Sequence, residues 1–98
     1  MRSASERRTM QHELKTDREV FKAVQDGLKT FEIRKDDRGY QVGDNLTLCE
    51  TRYTGEEMKA GKPLEYTGAA IDVGVSHILR GPIYGLKEGW VIMSIKSA

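Results

Sequence analysis

Hydrophobic and polar residues alternate in several short stretches of the chain, a pattern typical of half-buried β-strands. The last apolar stretch, W-V-I-M-S-I, has no such alternation over its first four residues and is predicted to be buried on both faces. Five strands are therefore predicted, over residues 10–15, 29–35, 46–53, 71–79 and 90–95. The pair Gly81-Pro82 is expected to end the fourth strand, because proline donates no backbone hydrogen bond.

One main helix is predicted between the first two strands. Its apolar residues recur on one helical face: Val20, Phe21 and Val24. Thr16 and Glu19 have the spacing of a capping box at its start, and Gly27 is placed to end it in a left-handed conformation. The polar segment 54–65 is expected to be a loop with at most one helical turn, over residues 56–60.

The predicted order β-α-β-β-β-β indicates an α+β, mainly β fold, a small barrel of about five strands with one main helix after the first. Barrel closure would protect the strand edges. A length of 98 residues fits one domain. We expect residues 1–9, which carry three arginines, to be a flexible extension and residues 10–98 to form the domain.

Composition narrows the function classes. The net charge is only +1, so a uniformly basic coat for duplex binding is absent, and any nucleic-acid contact needs a local cluster of cations. A lone cysteine, Cys49, allows no internal disulfide and fits a cytoplasmic location. No apolar run reaches the ~20 residues of a membrane span. We expect a monomer without a cofactor or metal ion.

Residues 27–34 read G-L-K-T-F-E-I-R, and V-G-D follows at residues 42–44. This resembles the ASCH-domain signature G-x-K-x-x-E-x-R. Residues 12–95 are similar to a small prokaryotic and phage subgroup of ASCH-like proteins, through H-E-L-K at 12–15, F-E-I-R-K-D-D-R at 31–38 and Y-G-L-K-E-G-W-V-I-M-S-I at 84–95. The resemblance implies a PUA-like barrel with a cleft beside the helix, lined by the motif, and it implies RNA binding.

Some small ASCH proteins are amidohydrolases that remove the acyl group from N4-acetylcytidine. These enzymes are similar in the motif and have a lysine at the position that Lys29 occupies here. Their nucleophile, however, is a threonine at the position that Glu32 occupies here. A carboxylate is no direct substitute for a hydroxyl nucleophile. The same deacylation mechanism is therefore not expected here.

The candidate site centres on Lys29, Glu32 and Arg34. On a strand, Glu32 and Arg34 share a face with Thr30, opposite Phe31 and Ile33. A carboxylate can accept hydrogen bonds from a base, and a guanidinium can bind phosphate or stack. The alternatives are a solvated strand face for this pair and, for Lys29, a cation at the helix C-terminus.

Further ligand-binding candidates surround this centre. Four side chains complete the proposed set: Lys15, Lys35, Arg38 and, as a stacking surface, Tyr84. The alternative for residues 35–38 is charge pairing within a turn. Trp90 is expected to pack in the core, and His12 and His77 are expected to be structural.

Three function classes remain open. The first is a module that binds RNA or a nucleoside without turnover. The second is an enzyme acting on a nucleoside or nucleotide, with Glu32 as general base and Lys29 as electrophilic stabiliser. The third is a protein-interaction module that uses the 54–65 loop. No zinc-deaminase, P-loop or serine-hydrolase motif is present.

Overall fold

A computed structural model describes residues 8–98, which form one five-stranded sheet and two helices. The elements in chain order are β1 (Gln11–Thr16), α1 (Arg18–Gln25), β2 (Phe31–Lys35), β3 (Asn45–Thr51), α2 (Gly55–Lys59), β4 (Tyr66–Arg80) and β5 (Trp90–Ser97). The predicted mainly β fold, with five strands and the main helix after the first, is confirmed. Of the predicted extension 1–9, residues 1–7 lie outside the described part.

The sheet has the order β1-β3-β4-β5-β2 and curves into a half-barrel. β1 is parallel to β3, whereas the other neighbouring strands are antiparallel. β1 and β2 are therefore the two edge strands. We call the gap between them the seam, and it lies beside the start of α1.

The core fills the concave side of the sheet. β1 turns His12, Leu14 and Thr16 inward, and α1 packs Phe21, only 2% exposed, against the strands. Burying such a side chain stabilises the fold by about 1.5–3 kcal/mol. The other buried apolar residues are Tyr40, Leu46, Leu48, Val73, Val75, Val91, Met93 and Ile95.

The start of α1 differs from the prediction. Thr16 continues the alternation of β1 and is 2% exposed, so its hydroxyl does not cap the helix. The N-cap is Asp17, and a capping box forms instead at α2, between Thr54 and Glu57. The capping-box prediction at Thr16 was wrong because pairing with β3 holds this residue in the strand. At the other end of α1, Gly27 has the predicted positive φ, +74°.

β5 is also less buried than predicted. Val91, Met93 and Ile95 face the core, but Trp90 is 37% exposed. The prediction of burial on both faces was wrong because a half-barrel has one core face and the outer side meets solvent. β4 ends at Arg80, as the Gly81-Pro82 signal predicted. Among residues 8–98, no helix is long and apolar enough to cross a membrane.

Candidate functional site

The charged face of β2 points inward. Glu32 is 2% exposed, whereas the apolar side chains of Phe31 and Ile33 are 45% and 47% exposed. The strand follows the predicted alternation, but the polar set occupies the interior side. The alternative of a solvated face is therefore wrong for Glu32. A buried carboxylate is costly unless it is paired and hydrogen-bonded, and its surroundings supply both conditions.

Two cations hold the Glu32 carboxylate, one on each oxygen. Lys29 Nζ lies 2.8 Å from Oε2, and Arg34 Nε lies 3.0 Å from Oε1. Lys29 and Arg34 are 18% and 26% exposed, so each reaches from the rim to the buried acid. Charge-assisted hydrogen bonds of this kind are stronger than neutral ones. The three predicted residues thus form one connected cluster.

Lys29 is tied to the edge strand as well as to the acid. Its ammonium donates to the carbonyl oxygen of Phe31 and lies 4.6 Å from the centre of the Phe31 ring. The alternative of a simple helix-end cation does not describe this side chain, because it turns back along β2 towards Glu32. These contacts fix the ammonium at the mouth of the cluster.

Arginine side chains bridge the seam between the two edge strands. Arg34 Nη2 donates to the carbonyl oxygen of Lys15 at 3.0 Å, and Arg38 Nη1 donates to that of Glu13 at 2.9 Å. Both acceptors belong to β1, whose outer edge has no neighbouring strand among residues 8–98. Guanidinium groups here satisfy carbonyls that a closed barrel would pair with another backbone.

The seam opens into a cleft of about 310 Å³ beside the start of α1. It runs along β2 from Lys29 to Lys35 and reaches across to β1. Four basic and two acidic side chains line it, which leaves an excess of positive charge. The lining residues are Lys15, Thr16, Asp17, Val20, Lys29, Glu32, Ile33, Arg34, Lys35 and Trp90. An anionic ligand with a flat, partly apolar portion suits this lining.

Five of the predicted site residues line this cleft: Lys15, Lys29, Glu32, Arg34 and Lys35. Thr30 is exposed and not among the lining residues, and it lies just before the start of β2. Arg38 lies at the seam, but its guanidinium donates a hydrogen bond to the carbonyl oxygen of Glu13. Tyr84 is 91% exposed in the short turn between Ile83 and Leu86, so it does not reach the cleft.

Sequence reasoning missed several residues that line the cleft. Trp90 was assigned to the core, yet it lies opposite Lys35 in the β2–β5 register and lines the cleft. Asp17 and Val20 line it because α1 starts directly after β1. A signal for Trp90 was present: it follows Gly89 at the very start of its strand, where burial on both faces is least expected.

A second cavity adjoins the cleft on the α2 side. It measures about 490 Å³ and shares Lys15, Asp17 and Arg34 with the cleft. Its remaining lining comes from α2, including Met58 and Lys59. A third hollow, of about 560 Å³, extends along α1 from Asp17 and has a mixed-charge lining. The basic character is therefore concentrated at the seam.

The third residue of the V-G-D motif has a structural role. Asp44 is fully buried and accepts hydrogen bonds from the Met10 and Gln41 N–H groups at 2.9 and 3.0 Å. His12 Nε2 lies 2.9 Å from its Oδ2, and the His12 ring meets Tyr40 edge-on. The structural role predicted for His12 agrees with these contacts. His77, in contrast, is exposed on β4.

Metal binding receives no support from side-chain placement. Within the described part of the chain, no three side chains of His, Cys, Asp or Glu are grouped to hold a metal ion. The cleft acids, Asp17 and Glu32, are accompanied by four cations that oppose a divalent ion.

Comparison with protein families gives one finding. Residues 11–95 match a family described as a domain of unknown function, DUF3850. The matched range begins at β1 and ends within β5, so it includes every residue that lines the cleft. A comparison with curated proteins finds no match.

Proposed function

The chain belongs to the DUF3850 family, and we propose that its cleft binds RNA or a nucleoside-like ligand without turnover, as an ASCH-type module. The observation that carries this proposal is the cluster of Lys29, Glu32 and Arg34, joined at 2.8 and 3.0 Å in one cleft with Trp90 on its wall. Cations suit a phosphate, and an indole suits the face of a base.

The charge of the cleft supports a ligand with phosphate. Lys15 and Lys35 lie on the rim and add two cations to those that pair with Glu32. Because the whole chain carries only +1, this local excess is the kind of feature that attracts an anion to one place. The lining also includes apolar atoms of Val20 and Ile33, which phosphate alone does not require.

The position of Glu32 favours binding over general-base catalysis. Both of its oxygens already accept hydrogen bonds from cations, and the side chain is 2% exposed. A general base needs an oxygen within reach of the proton that it removes. The ion pairs of Glu32 with Lys29 and Arg34 therefore support a positioning role for the carboxylate. The hypothesis of an enzyme with Glu32 as general base has no comparable support. Nor does an observed contact favour the 54–65 segment as a protein-binding loop.

Tryptophan fluorescence provides a direct test. Trp90 is the only tryptophan in the sequence, so its emission reports on the cleft itself. We expect a short single-stranded RNA or a ribonucleoside 5′-monophosphate to quench this emission in a saturable way at low salt. A titration of wild-type protein with each of these ligands measures the effect.

Charge reversal on the rim identifies the site. The double variant Lys15→Glu/Lys35→Glu leaves the Glu32 cluster intact and is expected to weaken RNA binding about tenfold or more at low salt. Lys62→Glu/Lys96→Glu is the matched control, because it makes the same change of net charge at two exposed lysines that do not line the cleft. Equal weakening by the control, or no saturable quenching in the wild type, would reject the assigned cleft.

A further inference from the structure

We propose that the main chain of Ile33 recognises the edge of a nucleobase by a paired N–H and C=O contact. This inference rests on the proposed function and adds how the base is read. Its basis is the direction of the backbone hydrogen-bonding groups along β2, the edge strand on which the cleft lies.

The hydrogen-bond pattern of β2 sets that direction. Ile95 N–H donates to the carbonyl oxygen of Thr30 at 3.1 Å, and Asp36 N–H donates to that of Gly89 at 2.7 Å. In an antiparallel ladder, hydrogen-bonded and non-hydrogen-bonded residue pairs alternate. Even-numbered positions of β2 therefore direct their main-chain groups to β5. Ile33 directs its N–H and C=O away from β5, to the free edge.

Other contacts leave Ile33 as the position with both groups available. The carbonyl of Phe31 accepts from the Lys29 ammonium, and that of Lys35 accepts from the Asp37 N–H. No hydrogen bond within residues 8–98 uses the free-edge groups of Ile33. The same residue lines the cleft between the Lys29–Glu32 pair and Trp90.

This arrangement matches a base better than an extended peptide. Strand addition uses N–H and C=O groups at every second residue of an edge. The carbonyls of Phe31 and Lys35, on either side of Ile33 along this edge, already accept hydrogen bonds. An extended peptide would therefore find both an N–H and a C=O available at Ile33 alone. The Watson–Crick edge of each standard base presents a donor beside an acceptor, and one residue with a free N–H and C=O complements that pair. The rim lysines remain for phosphate.

The first experiment uses modified ligands with the wild-type protein. The four ribonucleoside 5′-monophosphates are titrated by Trp90 fluorescence. The tightest binder is then compared with an analogue whose Watson–Crick donor carries no hydrogen, which is the N1-methyl form of guanine, the N3-methyl form of uracil, or the dimethylated exocyclic amine of adenine or cytosine. We expect methylation to weaken binding about tenfold, since it removes one hydrogen bond and blocks the approach to Ile33. Equal affinity for the two ligands would overturn the inference.

The second experiment alters the backbone. Ile33→Pro removes an N–H that makes no ladder bond, a substitution that edge strands accept. It is expected to weaken binding of the unmodified nucleotide about tenfold and to reduce the discrimination against its methylated analogue. Ile33→Val keeps the N–H and is the matched comparison, because it is expected to retain the discrimination against the methylated analogue that the proline variant reduces. If the proline variant fails to fold, the modified ligands alone decide.

The outcomes separate this inference from the proposed function. If quenching is saturable and neither methylation nor Ile33→Pro changes the affinity, the role of Ile33 is overturned, whereas the proposal that the cleft binds a nucleotide stands. If an extended peptide quenches the emission and no nucleotide does, the ligand is a peptide strand. That result overturns both the role of Ile33 in base recognition and the proposed function. The absence of any nucleotide binding by the wild type also overturns both.

Discussion

Arg34 on β2 donates a hydrogen bond to the carbonyl oxygen of Lys15 on β1, with 3.0 Å between Nη2 and the oxygen. The same guanidinium holds the buried Glu32 carboxylate through Nε. One side chain therefore bridges the seam of the half-barrel and balances the charge of Glu32. The candidate site and the stability of the fold are coupled at this residue.

The first prediction concerns the geometry of that guanidinium. Arg34→Lys keeps the charge but cannot bond the Lys15 carbonyl and Glu32 from one planar group. We expect the free energy of unfolding to fall by about 1–2 kcal/mol. Urea denaturation monitored by circular dichroism measures the change.

Arg52→Lys is the matched control for this substitution. The Arg52–Glu65 pair is exposed and 3.7 Å apart, so its variant is expected to lie within about 0.5 kcal/mol of the wild type. Similar losses in the two variants would show that the contact with Lys15 contributes nothing specific.

The second prediction concerns the charge of Glu32. Glu32→Gln preserves the shape but places an amide N–H₂ against cationic donors and removes the buried negative charge. We expect a loss of about 2–4 kcal/mol of unfolding free energy, with little dependence on salt because the carboxylate is 2% exposed. Urea titrations at low and high salt test both statements. Glu65→Gln, at an exposed pair, is expected to change stability by less than about 0.5 kcal/mol.

The third prediction concerns Asp44, the acid of the V-G-D motif. Asp44→Asn turns an acceptor of several hydrogen bonds into a group that presents its own N–H to the Met10, Gln41 and His12 donors. The expected cost is about 2–4 kcal/mol, measured by urea denaturation. Asp37→Asn is the control at an exposed turn position. An equal effect of the two substitutions would contradict the buried network.

The fourth prediction concerns alkaline pH. Burial raises the pKa of Tyr40 above its usual value of 10.0, against opposing effects of Arg38 and Arg34. A raised folded-state pKa favours the neutral phenol in the folded protein. This contribution to stability is complete below pH 10.0 and is lost as the pH rises through the folded-state pKa. Urea denaturation from about pH 9 to about pH 11 should show the decline.

Tyr40→Phe tests the assignment of that decline, because phenylalanine has no phenol to ionise. The variant is expected to lose less stability than the wild type over the same pH range. Tyr84→Phe, at a side chain that is 91% exposed, is the control and should retain the wild-type decline. A decline that Tyr40→Phe leaves unchanged would assign it to another group.

The limits of sequence reasoning appear at particular residues. Local alternation was enough to find β2 and to place Glu32 and Arg34 on one face. It could not show which face is interior. The charged face is the interior one, and Lys29 and Arg34 compensate for the burial of Glu32. Trp90 was misplaced for a related reason: an apolar run does not reveal that only one side of its strand meets a core.

The sequence by itself determined the local elements: where strands alternate, where Gly27 ends the helix, and which residues form the G-x-K-x-x-E-x-R motif. Each of these follows from interactions within a few residues. Only the tertiary structure decided that β1 and β2 are the two edges, that arginines bridge their seam, and that Trp90 faces the cleft. These features join residues far apart in the chain, and local periodicity contains no information about such pairing.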